Sequence, residues 1–212
     1  MSRFRVGLAV VAMTMTALAV PGAFTAGGGV ANAAPIPGGP ITDVCADAGT
    51  DNGSGTFTLT ADCGDVIGPI TVPSNITTVD GGGFTISATD IGSSQFNGGI
   101  LTNASPGQTM NIQNLTISGP VTGFQLCTNS SNVLYGIFFN GAAGGSVSNV
   151  TVQHIFQFQN GAFGSCQTGR AIRADSSGTI TITNTTVTDY QKNGIEARGS
   201  VTMNVHRSEM SQ

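Results

Sequence analysis

Charged side chains are scarce beyond residue 33, and eight of them gather late in the chain: His154, Arg170, Arg173, Asp175, Asp189, Lys192, Glu196 and Arg198, with Tyr190 among them. Residues of these types suit chemistry on an acidic sugar. Removing the proton beside a uronate carboxylate needs a base, here Lys192 or His154, and a cation to hold the charge that develops. Arg170 or Arg198, with Asp175, would surround that carboxylate, and Ca²⁺ is the added cation only if the reaction is of the lyase type. A glycosidase would instead need two carboxyls at a defined separation, and this region offers only Asp175, Asp189 and Glu196. A second reading needs no substrate. Aligning Ile172 with Ile195 sets Arg173 over Glu196 and Asp175 over Arg198, each one strand spacing of about 4.8 Å apart. Such pairs form a ladder of compensating charges on a solvated face. The same register sets His154 over Asp189, each five residues beyond an asparagine. The ladder is the favoured reading, and no residue is committed to catalysis.

The elements that must position these residues are announced by a repeat. Ile112-Gln-Asn-Leu-Thr-Ile117, Val147-Ser-Asn-Val-Thr-Val152 and Ile182-Thr-Asn-Thr-Thr-Val187 share one pattern, which degrades at Val205-His-Arg-Ser-Glu-Met210. A small residue followed by Ile137, Ile172 or Ile195 stands twelve residues before Asn149, Asn184 and Arg207 respectively. Asn184 to Arg207 is 23 residues, whereas Asn114 to Asn149 and Asn149 to Asn184 are each 35, the additional residues lying in 118–136 and 153–171. A base period of 23 with insertions on one side predicts stacked coils of short parallel strands. The periodic segments are rich in β-branched residues and bounded by Gly, Asn, Ser or Pro, so no helix is expected after residue 33. A β-sandwich has no reason to repeat the same six-residue pattern in register. Asn114, Asn149 and Asn184 are expected at sharp turns, where asparagine tolerates the left-handed backbone and its amide can bond to the amide of the next coil. The same residues form N-x-[ST] sequons, but the ladder needs Asn and the following strand favours Thr, so the sequons are read as incidental.

In chain order, residues 34–54 read as irregular, 56–60 and 70–72 as short strands, and 76–86 as two strands around the glycine turn Gly81-Gly-Gly83. The division expected is residues 1–33 as a leader, 34–69 as an irregular segment with the first strands, and 70–212 as the repeat domain. On Val79-Asp-Gly-Gly-Gly-Phe-Thr-Ile86 and the three asparagine repeats, the chain from Ile70 resembles the right-handed parallel β-helix of the pectate-lyase-like superfamily, found in many secreted bacterial proteins. That resemblance implies an all-β solenoid. It leaves activity open among polysaccharide lyases, hydrolases, uronate epimerases, adhesins and structural modules. The family's hydrolases carry close aspartate pairs with Gly-His-Gly, and its lyases carry several calcium-binding aspartates with paired arginines on one strand face. Neither set is evident here.

The remaining features bound address and partners. Arg3 and Arg5, the apolar run Val6 to Val20 and Ala31-Asn-Ala33 have the form of a cleavable secretory signal. No later stretch approaches the roughly 18 apolar residues that span a bilayer. Without residues 1–33 the formal charge moves from −4 to −6, and no basic patch remains to attract nucleic acid or an anionic membrane. Cys45, Cys63, Cys127 and Cys166 suit an oxidising compartment and lack zinc-site spacing. Three pairings are open, and Cys45–Cys63 with Cys127–Cys166 is favoured because the latter two fall in equivalent insertions. No metal or cofactor is expected outside the lyase alternative. Phe124, Leu126, Phe156, Phe158 and Phe163 in the insertions would suit an adhesin-like module, although packing against the coils explains them more simply. Because Arg207 replaces the asparagine and nothing cap-like follows Met210, the chain is expected to be part of a longer solenoid and to associate through its open last coil. The function expected is a secreted structural or carbohydrate-contacting protein, with a lyase or epimerase on an acidic glycan, or an adhesin, as alternatives.

Overall fold

A computed structural model describes residues 35–90, 96–120, 133–156, 158–159, 162–163, 168–176 and 178–212, all within one compact unit, Ala33–Gln212. The leader expected at 1–33, together with Cys127, Cys166, Phe124 and Leu126, lies outside the described residues, as do the side chains of Phe158 and Phe163. The described chain is all-β and largely parallel. One sheet runs Gly39–Pro40, Ile70–Val72, Gly98–Asn103, Leu134–Asn140, Gly169–Ser176 and Asn193–Gly199, every neighbouring pair parallel. A second contains, in order, Thr202–His206, Thr179–Thr183, Gly144–Gln153, Thr109–Ser118, Thr78–Asp80 and Thr56–Leu59, again parallel, ending on an antiparallel Gly49–Asp51. From Ile70 onward the chain passes back and forth between the two.

Similar aliphatic residues recur at the same register and stack into rows within the core. Val79, Ile112, Val147 and Ile182 form one buried row, continued by the exposed Val205. Ile86, Ile117, Val152 and Val187 form another. Leu101, Ile137, Ile172 and Ile195 form a third, in the first sheet. Each fully buried aliphatic side chain in these rows contributes about 1.5–3 kcal/mol. β-branching suits a pleated surface whose neighbours one strand away are similar aliphatic residues.

The N-terminal segment is more ordered than its composition suggests. Ile41–Val44 is a single helical turn, a departure from the expectation of no helix. Pro40 precedes it with φ −58°, and Ile41 and Val44, three residues apart, both reach the core. The Cys45–Cys63 disulfide (Cα–Cα 5.5 Å) fastens this turn to the strand Cys63–Val66. Its cysteines are 18 residues apart in sequence, and closing a loop of that length contributes about 3 kcal/mol.

Asn114, Asn149, Asn184 and Arg207 all have left-handed backbone, with φ of 52°, 54°, 49° and 48°. Asn184 Nδ2 donates to Asn149 Oδ1 (3.2 Å), and Asn149 Nδ2 donates to Asn114 Oδ1 (3.3 Å). The row does not end on Gly83, the residue that matches Asn114 by sequence. The turn Gly81-Gly-Gly83 instead brings Asp80 alongside, and Asn114 Nδ2 donates to Asp80 Oδ1 (3.1 Å). Gln113 Nε2 and the Gly82 amide also donate to that carboxylate. Burial raises the Asp80 pKa, but the three hydrogen bonds together outweigh it and hold the group below its ordinary 3.8. A depressed folded-state pKa means that the ionised carboxylate contributes stability above the unfolded value, and that this is lost as pH falls through the folded one. The stability gap between the wild type and Asp80→Asn should therefore narrow between neutral and strongly acid pH in urea titrations. A gap that stays constant would show that the ladder does not depend on the ionised carboxylate.

Candidate functional site

The polar cluster forms on the outer face of the first sheet because strict alternation fails there. Two consecutive residues turn inward in each strand: Ile100-Leu101, Gly136-Ile137, Ala171-Ile172 and Gly194-Ile195. Gly136 is needed at this bend, since a Cβ there would lie 2.4 Å from Val152 Cγ1. The flanking residues, three apart, then share the outer face. Gly99, Tyr135, Arg170 and Asn193 make one row, and Thr102, Phe138, Arg173 and Glu196 the other.

Side chains in these rows close on one another. Arg170 Nε is in direct contact with Glu196 Oε2. Arg173 grips Asp175 with two bonds, Nε to Oδ1 at 3.0 Å and Nη2 to Oδ2 at 2.5 Å. Its Nη1 donates to the Tyr135 hydroxyl at 2.6 Å and lies 3.9 Å from Glu196 Oε2. Both guanidiniums also face the Tyr135 ring, Arg173 at 4.8 Å and Arg170 at 5.7 Å from its centroid, and Phe138 stacks tilted against that ring at 4.9 Å. The two arginine side chains are only 9% and 11% exposed. Burial works against the Arg173 charge, but the Asp175 bonds and the neighbouring charges prevail and raise its pKa. Two cations and two carboxylates thus form one neutral unit.

The expected register holds, with Arg173 opposite Glu196 and within 3.9 Å of it and Asp175 opposite Arg198, but the closest charge partners differ in two places. Glu196 stands opposite Arg173 in register, yet its closest cation is Arg170, because the inward pair Ala171-Ile172 brings Arg170 round to the same face. Asp175 stands opposite Arg198, yet its carboxylate turns back along its own strand to Arg173. Arg198 is exposed and has no ion pair among the described residues. The chain therefore does place two arginines on one face of a strand, which alternation alone would forbid. Tyr135 carries no charge and escaped the sequence reading. Its signal was positional, since it sits 35 residues before Arg170 at the same place in the repeat.

His154 and Asp189 meet elsewhere, at a left-handed turn beyond the second sheet, with φ of 58° and 50°. His154 Nε2 lies 3.6 Å from Asp189 Oδ2, and its Nδ1 lies 3.3 Å from Ser118 Oγ. The Lys192 side chain is exposed. Neither it nor His154 contacts the arginine unit among the described residues.

No match to this chain is found among family models, curated proteins or solved structures.

Among the described residues no three His, Cys, Asp or Glu side chains converge as metal ligands, and no helix is long and apolar enough to cross a membrane.

Proposed function

We propose that the chain from Ile70 onward is a right-handed parallel β-helix of the pectate-lyase-like kind, and that it serves outside the cell as a structural, carbohydrate-contacting scaffold. The back-and-forth passage between two parallel sheets, with like residues stacked in rows, supports the β-helix. The observation that carries the role is the closure of the arginine unit. Arg170 and Arg173 already have carboxylate partners, so neither is free to neutralise a sugar acid, and displacing Glu196 or Asp175 would strand a buried cation. Secretion is supported by the leader-like residues 1–33 and by the disulfide.

A uronate lyase or epimerase is the second reading. It is favoured by His154, whose imidazole is 28% exposed and lies between a carboxylate and a hydroxyl, the setting of a general base. Incubation with a panel of neutral and acidic polysaccharides, with and without Ca²⁺, separates the two. The scaffold reading expects retention on at least one polymer with no growth of unsaturated-product absorbance. Product formation that disappears in His154→Ala would replace it with the lyase.

A further inference from the structure

Charge in this chain is sorted along the stack. Between residues 34 and 169 there are seven aspartates and no lysine or arginine, whereas all five such cations beyond residue 33 lie between Arg170 and Arg207. Successive strands add in sequence order, so the second sheet runs from Gly49–Asp51 at one end to Thr202–His206 at the other. Sorting by sequence is therefore sorting in space. At the first end Asp43, Asp47, Asp51, Asp62 and Asp65 are all exposed. At the other, the exposed charges between residues 193 and 212 are Arg198 and Arg207 against Glu209, with His206 beside them. Six strand spacings separate the two ends, roughly 29 Å. That is several times the screening length of about 8 Å at physiological salt, so each end acts on its surroundings by itself.

The ends also differ in their apolar surface. Asn193–Gly199, Thr202–His206 and Glu209–Met210 each have a strand partner on one side only among the described residues. Val205 and Met210 continue rows that are buried in the earlier coils, yet they are 42% and 51% exposed, and no other large apolar side chain among the described residues is classed as exposed. At the acidic end a cleft of about 280 Å³ is lined by Ile36, Ala46 and Ala48 together with Asp43, Asp47 and Asp62. Gly49–Asp51, at the same end, has an unpartnered outer edge among the described residues.

We propose that these two ends bind each other in different copies, head to tail, so that the occupant of the cationic coil is the acidic end of a second copy of this chain. The proposal is independent of any carbohydrate role. Arg198 and Arg207 then face the aspartates, and Val205 and Met210 are covered by the apolar lining of the cleft. Each end also brings a strand with unpaired backbone groups to the contact, the arrangement in which one sheet edge accepts another. Charge selects the orientation. Two acidic ends repel each other, as do two cationic ones, and only unlike ends attract. A contact between unlike ends does not close on itself, so copies add in a line instead of stopping at a pair.

The test is sedimentation of the purified protein over a concentration series, at low salt and in 0.5 M NaCl, a salt level of about one-third the physiological screening length squared being unnecessary to reach. One variant reverses the cationic end, Arg198→Glu with Arg207→Glu, and another reverses the acidic end, Asp43→Lys with Asp47→Lys, each matched to the wild type by circular dichroism and melting temperature. Should the second double variant fold poorly, Asp47→Lys alone, on an exposed turn, serves the same comparison. The wild type should self-associate at low salt and less so at high salt, and each variant alone should associate roughly ten-fold or more weakly. Mixing the two variants should restore association, because the reversed ends are complementary to each other. A wild type that stays monomeric at low salt overturns the proposal. So does association lost on reversing the cationic end but kept on reversing the acidic one, which would mean that two cationic coils meet face to face. Association indifferent to salt and to both variants likewise overturns it.

Discussion

Replacing Glu196 by alanine is expected to destabilise the protein by about 3–5 kcal/mol, the cost of breaking a buried ion pair from one side. Arg170 would keep its place on the outer face, held by the Tyr135 ring and the Thr168 carbonyl, but would lose the carboxylate that compensates it. Arg173 would keep Asp175 and the Tyr135 hydroxyl, so the damage should be confined to one half of the unit. Replacing both partners, Arg170→Leu with Glu196→Leu, removes charge and burial cost together and should recover most of the loss. Urea denaturation followed by circular dichroism measures both. A loss below about 1 kcal/mol for Glu196→Ala would mean that water already screens the pair, as at an ordinary surface salt bridge.

Ile137→Ala should cost about 2–5 kcal/mol and Ile137→Val about 0.5–1.5 kcal/mol. Ile137 is fully buried in the row between Leu101 and Ile172. Its neighbours are fixed by strand hydrogen bonds on both sides, so the space left by three missing carbons cannot easily collapse. The same unfolding experiment applies, and a loss near zero for the alanine variant would deny that the row is packed.

The rows are the part of this molecule that sequence states openly. Ile172 and Ile195 have matching flanks, as do Ile112, Val147 and Ile182, and parallel pairing of like residues follows from those matches. Pairing of backbones, however, does not determine pairing of side chains. The double inward turn at Ala171-Ile172 depends on which of two adjacent small or apolar residues the corner needs, and a period-two reading cannot express it. Arg170 changes faces as a result, and with it the partner of Glu196. Asp175 shows a second limit, since a carboxylate two residues from an arginine on one strand face competes on equal terms with the arginine one strand away. The helical turn at Ile41–Val44 was hidden by its length, four residues being too few to display a period.

The asparagine row has an electrical consequence. Every amide in it points the same way, NH₂ toward Asp80 and oxygen toward Arg207, so the individual dipoles add instead of cancelling. The row is a short side-chain counterpart of a helix macrodipole, positive where Asn114 offers its NH₂ and negative where Asn184 presents its oxygen. A carboxylate occupies the positive pole and a guanidinium-bearing residue takes the next position at the negative one, the same placement of charges that steadies the two ends of a helix. Asp80, brought alongside by the glycine turn, and Arg207, which replaces the asparagine in the last repeat, are then the charged termini that such a row of aligned dipoles favours.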